Sequence, residues 1–184
     1  LASQSAIQGE DVDYWVVPED RTATSIAVSV EGTQLGGTHD VAAQLNQNPQ
    51  VSYATPVLLR VIQVRAPASN TSEYVLAAGV IPNGADRDIL GVSTASLTPG
   101  DPYYANGTYS GEWTGEVVAS DAAADLLALD TEDSVTLPRK KFNRSLRVVN
   151  VSTGSYSTGT APLPIVILHQ SQLQAITGAT SGDP

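Results

Sequence analysis

Apolar and polar residues alternate with a period of two along several short stretches, the spacing of half-buried strands. "DYWVVPED" at 13–20 reads as a strand that stops at Pro18, and "TSIAVSV" at 24–30 as a second, with Gly32, Gly36 and Gly37 marking the turn after it. The pattern then changes to helical spacing. Val41, Ala42 and Leu45 fall on one face, Thr38 or Asp40 can cap the first turn, and Pro49 disfavours helix at Asn48. "VSYATPVLLRVIQVRA" at 51–66 reads as one long strand, or two broken near Pro56, so 24–66 predicts strand–helix–strand. A turn at 67–72 leads to a strand at 73–81. The stretch 82–111, rich in Gly, Pro, Asn, Asp and Tyr, predicts irregular loop with short extended pieces.

The second half is read in the same way. "EWTGEVVAS" at 112–120 is a strand or an extended lead into "SDAAADLLALD" at 120–130, a helix capped by Ser120 with Asp121 in its first turn and Ala124, Leu127 and Ala128 on one side. Strands follow at 133–137 and 144–154, with "PRKKFN" as their hairpin connection. After a loop at 152–163, "PIVILHQSQLQAIT" at 164–177 is a strand running into a helix, which Gly178 stops. Residues 1–12 read as a flexible lead-in and 179–184 as a tail. No repeat of fixed period is visible. The fold class is α+β, with mixed and antiparallel sheets and a few short helices.

Charge narrows the partners. The 184 residues carry a formal net charge of −10, and lysine occurs only at Lys140 and Lys141. Nucleic acid and anionic membrane surfaces need clustered cations and fit poorly. Acidity with scarce lysine resembles proteins of salt-loving archaea, whose carboxylates stay hydrated while salt screens their repulsion. Cysteine is absent, which excludes disulfides and thiolate metal sites. Methionine is absent too, as expected of a piece excised or processed from a longer product. No run reaches the roughly 20 apolar residues of a membrane span, and the first residues lack the form of a secretory signal. Asn70, Asn106, Asn143 and Asn150 each open an N-glycosylation acceptor pattern, which favours an outside location.

Candidate chemistry is sparse. His39 and His169 lie in no metal-ligand spacing, and each reads as incidental, at a helix start and at a strand-to-helix junction respectively. "GVSTA" at 91–95 lacks the final glycine of a nucleophile elbow, and "GTHDVAAQL" lacks the lysine of a phosphate loop. The acidic groups Glu10–Asp11–Asp13, Asp86–Asp88 and Asp130–Glu132–Asp133 do not match a calcium loop and read as solvated surface. Tyr103, Tyr104, Tyr109 and Trp113, with Trp15 elsewhere, read as pins that fasten a long loop to the body, the alternative being a loop that contacts a partner or ligand. No catalytic, cofactor-binding or metal residue is expected.

The order of these stretches carries a resemblance. "YWVVPED" comes first, then a helix ending in "NPQV" and the strand "ATPVLLRVIQV". "EYVLAAGVIPNG", "GEVVASDAAADLLALDTEDSVTL", "SLRVVNVSTG" and finally "PIVILHQSQLQAITG" follow. Over about 13–178 this resembles the extracytoplasmic core domain of ABC transporter permeases of the macrolide-exporter, lipoprotein-release and FtsX class. The chain departs from that pattern at "TEDSVTL", where a glycine usually precedes the strand, and its 82–111 loop, rich in Tyr, Pro and Gly, does not align with the pattern. The resemblance implies a porter-like α+β lobe from 13–66 and 161–178 with a β-rich lobe, 67–160, inserted between. It implies a place on the outer side of the cell membrane between two transmembrane helices, a cytoplasmic ATPase subunit and a second permease copy as partners, a cargo left unnamed, and no cofactor or enzymatic activity. A stand-alone extracellular binding or surface-layer module is the competing reading, supported by the sequons, acidity and short strands. A secreted hydrolase is a third, supported only by abundant Ser and Asp.

Overall fold

The apolar run at 75–80 has no polar interruptions because both of its faces are covered. A computed structural model of the chain describes residue 16 and residues 38–66, 71–104, 108–137, 144–154 and 161–178. In chain order the elements are α1 (Thr38–Asn46), β1 (Leu58–Arg65), β2 (Ser72–Val80), β3 (Asp88–Ile89), β4 (Val92–Ser93) and β5 (Glu116–Ser120). Then come α2 (Asp121–Leu127), β6 (Ser134–Thr136), β7 (Ser145–Ser152), β8 (Ile165–His169) and α3 (Gln170–Thr177). Six strands close into a barrel in the order β1-β2-β8-β5-β7-β6, and β3 and β4 form a separate two-residue ladder. β2 with β8 and β5 with β7 are parallel, and the other pairs are antiparallel. The fold is α+β with a mixed sheet, as expected. Among the described residues, β1 and β6 close the barrel through the pair Arg65 with Thr136.

Two apolar clusters sandwich the sheet. Val75 and Ala77 of β2 face Ala123, Ala124 and Leu127 of α2 and Leu173 and Ile176 of α3. Leu76, Ala78 and Val80 face the opposite way, onto Ile89, Leu90, Val92 and Leu97 of the loop that follows. β8 lies between β2 and β5 and is buried throughout, so its continuous "IVIL" follows from burial on both faces. β1 alternates instead. Ile62 and Val64 are buried while Val61 is exposed, because its outer face has less cover.

β5 passes into α2 without a loop. Ser120 is extended, and its hydroxyl accepts from Ala123 N at 3.2 Å, the cap expected from sequence. The same oxygen accepts from Ile165 N at 3.0 Å, tying the start of β8 to the start of α2. The helix is shorter than the predicted 120–130. Ala128 takes a left-handed conformation and turns Leu129 into the core, so Ala123 rather than Ala128 completes the buried side. β1 likewise begins only at Leu58, after Pro56. α1 begins at Thr38, which places Thr38 and Asp40 in its first turn; a capping residue before them lies outside the described residues. The expected strands 13–20 (apart from Val16, which is exposed) and 24–30, the lead-in 1–12, the connection 138–143 and the tail 179–184 also lie outside them. Segments from both sides of the expected lobe division meet in one barrel: β1 and β8 pair with β2, and β8 also with β5.

Candidate functional site

The polar side chains buried most deeply lie where β8 becomes α3. Strand burial carries His169 into the interior and the helix start carries Ser171 and Gln172 with it; all three are fully buried. The backbone carbonyl of Thr98 can only accept, so the 2.8 Å contact fixes a hydrogen on His169 Nε2. Gln172 Nε2 donates to Thr114 Oγ1 at 2.8 Å, which leaves the Thr114 hydrogen for His169 Nδ1 at 3.2 Å. His169 itself makes no side-chain cap to α3. That task falls to Asp101, whose carboxylate accepts from Ser171 N at 3.0 Å and from the Ser171 hydroxyl. Burial pushes the Asp101 carboxyl above the ordinary carboxylate range. The bonds from Ser171, and then the fields of His169 and His39, act against that shift.

A serine, a histidine and an aspartate thus gather around one point, yet their bonding is that of a tie. A nucleophilic serine must hand its proton to a base. Ser171 donates directly to Asp101, both nitrogens of His169 are engaged by Thr98 and Thr114, and Ser171 is shut off from solvent. His39 is exposed on α1, and Asp40 stands in the first turn of that helix, where its charge suits the dipole.

The aromatic loop reinforces the same junction. Tyr103 meets Trp113 edge-on at 5.1 Å and Tyr109 at 6.1 Å, while Tyr104 meets Tyr109 at 4.9 Å. The Tyr109 hydroxyl donates to Gln174 of α3 at 3.0 Å, and Trp113 packs on the core. The expected pinning of the loop is what these contacts do. Gly115 allows it: its φ is +66°, and a Cβ there would stand 3.1 Å from Trp113 Nε1 and 3.2 Å from Ser145 O. Trp15 lies outside the described residues.

The acidic groups are mostly engaged locally. Asp86 accepts from the Ser93 hydroxyl, Asp133 from Asp130 N at 2.8 Å, and Glu132 pairs with Arg147 at 3.1 Å. Among the described residues no three His, Asp or Glu side chains converge as metal ligands. Glu10, Asp11 and Asp13 lie outside them, as do Asn70, Asn106 and Asn143. Asn150 is half-buried in β7, and the Ser152 hydroxyl of its sequon accepts from Ser93 N at 3.2 Å. Sequence reasoning missed Thr98, Asp101 and Thr114. Thr98 and Asp101 sit in a loop with no periodicity and Thr114 in the extended lead after it, and their partners lie more than fifty residues away in the chain.

No protein-family model and no curated protein matches the chain. Among solved structures it is similar to the extracellular domain of the noncanonic ABC-type transporter YknZ from Gram-positive bacteria. The identity is 13%, the TM-score 0.47, and the match covers 77% of this chain and 66% of that one, just under two thirds of its length.

Proposed function

We propose that the chain is a non-catalytic extracytoplasmic domain of an ABC transporter permease of the macrolide-exporter, lipoprotein-release and FtsX class. It would couple a cytoplasmic ATPase, through transmembrane segments, to the handling of a substrate or partner outside the membrane, with a second permease copy beside it. The observation that carries the reading is the order of elements. The sequence stretches behind the resemblance fall on a helix leading through "NPQV" to β1, on β5–α2–β6, and on β8–α3. In this reading 13–66 with 161–178 is the porter-like part and 67–160 the inserted part, the two sharing one barrel. The closing unit β8–α3 leads back toward the membrane, and the Asp101, His169 and Tyr109 bonds fasten it to the loop at 98–114. A displacement of α3 would then move the whole barrel as a rigid body. The acidic composition fits a salt-adapted source.

Because these 184 residues have no cysteine, an introduced one adds a single thiol to the domain, read against the unsubstituted full-length protein. Tyr74 is 65% exposed on β2. In the full-length protein, Tyr74→Cys should react with a membrane-impermeant maleimide added to intact cells. The coding sequence should place about 20 apolar residues before Leu1 and further spans after Pro184. A cleaved signal before Leu1, no later span and release into the medium would replace this reading with the surface module.

A further inference from the structure

Arg144 is exposed just before β7. Its guanidinium carbon lies 4.6 Å from the centroid of the Trp113 ring and 5.5 Å from that of Tyr103. It has no carboxylate partner among the described residues, whereas Arg147, three positions on, pairs with Glu132. Two rings hold the plane of the guanidinium, so it loses little freedom when its N–H fork meets an anion. Tyr104, 39% exposed, extends the aromatic surface through Tyr109, which is itself bonded to α3. Arg, Trp and Tyr are the residue types that dominate binding energy at protein interfaces, where lysine is depleted.

The charge pattern says what the surface would receive. The chain is strongly acidic, yet Arg139, Lys140, Lys141, Arg144 and Arg147 fall in one span free of carboxylates and make up most of its nine basic residues. Cations that crowd this part of the sequence, with Arg144 among them, favour an anion as partner. An anionic bilayer would meet the repulsion of the whole −10 chain; a carboxylate on a polypeptide meets the single fork of Arg144.

We propose that Arg144, Tyr104 and the rings of Tyr103 and Trp113 form a docking surface for an acidic segment of a partner polypeptide. A carboxylate of the partner sits against the Arg144 fork and an apolar side chain against Tyr104. The assignment stands on this patch and does not depend on the permease reading, so the topology experiment and the binding experiment fail separately.

Trp15→Phe leaves Trp113 as the single tryptophan, a reporter inside the patch. This protein is titrated with a short peptide of alternating glutamate and leucine, with its glutamine counterpart, and with phosphatidylglycerol vesicles. The expected result is a saturable change in Trp113 fluorescence with the glutamate peptide. Arg144→Gln should weaken it about tenfold. Arg144→Lys should restore only part, and Arg147→Gln, which removes the same charge, should have little effect. An unfolding midpoint unchanged in each variant shows that the fold is intact. Equal weakening by both glutamine substitutions, equal binding of the glutamine peptide, no saturation, or an Arg144-dependent response to vesicles alone would overturn the proposal.

Discussion

Asp101 holds the first turn of α3 while paying a desolvation penalty, and the balance depends on pH. Its folded-state pKa is raised above the ordinary 3.8, chiefly by burial. A raised acid binds its proton more tightly folded than unfolded. Its contribution to stability is therefore full below about 3.8 and is lost as pH rises through the folded value. The other carboxylates build repulsion in the same range, so the variant and the natural protein must be compared. Asp101→Asn can still accept from Ser171 N but carries no charge to desolvate. Urea unfolding at a series of pH values from about 3 to 7 should show the variant gaining on the natural protein as pH rises above about 4. A difference that moves the other way would mean that the Ser171 bonds outweigh burial.

The elements legible in the sequence are those whose signals are local. β2, β5 and β7 show apolar runs or alternation, and α2 shows its serine cap within four residues of the amide it satisfies. β8–α3 is legible because Gly178, at φ +79°, ends it in the left-handed conformation the glycine invites. Strand partners are not legible: Leu76 pairs with Ile165, and nothing near either residue says so. The site was illegible for the same reason, since Asp101 lies in "PGDPYY" and its meaning comes only from Ser171. The β3–β4 ladder docks by a contact that is equally silent in sequence. A Cβ on Gly154 would stand 1.7 Å from the Gly91 carbonyl oxygen. Gly154→Ala should push the ladder off the end of β7, exposing Leu90 and Val92. We expect a loss of about 1–3 kcal/mol in denaturant unfolding, the scale of overpacking in a filled core.

At the scale of the molecule, repulsion among carboxylates outweighs attraction. The net charge is −10, and among the described residues Arg147–Glu132 is an ion pair with both side chains well exposed, worth at most about 1 kcal/mol. Raising KCl from about 0.1 to about 1 M shortens the screening length from about 10 to about 3 Å. The unfolding temperature should therefore rise with salt in a calorimetric scan, and a fall would mean that attractive pairs dominate. The position of β8 has a consequence of another kind, in time. The last of the described strands is set into the barrel between β2 and β5. Until it emerges, both neighbours present naked edges to the surroundings. β8 must therefore be made before the barrel can close, and folding waits on contacts of long sequence separation. A fragment ending at residue 160 should show no cooperative unfolding transition. The nascent domain is then most vulnerable to sticking edge-to-edge in the interval after β5 has emerged and before β8 has.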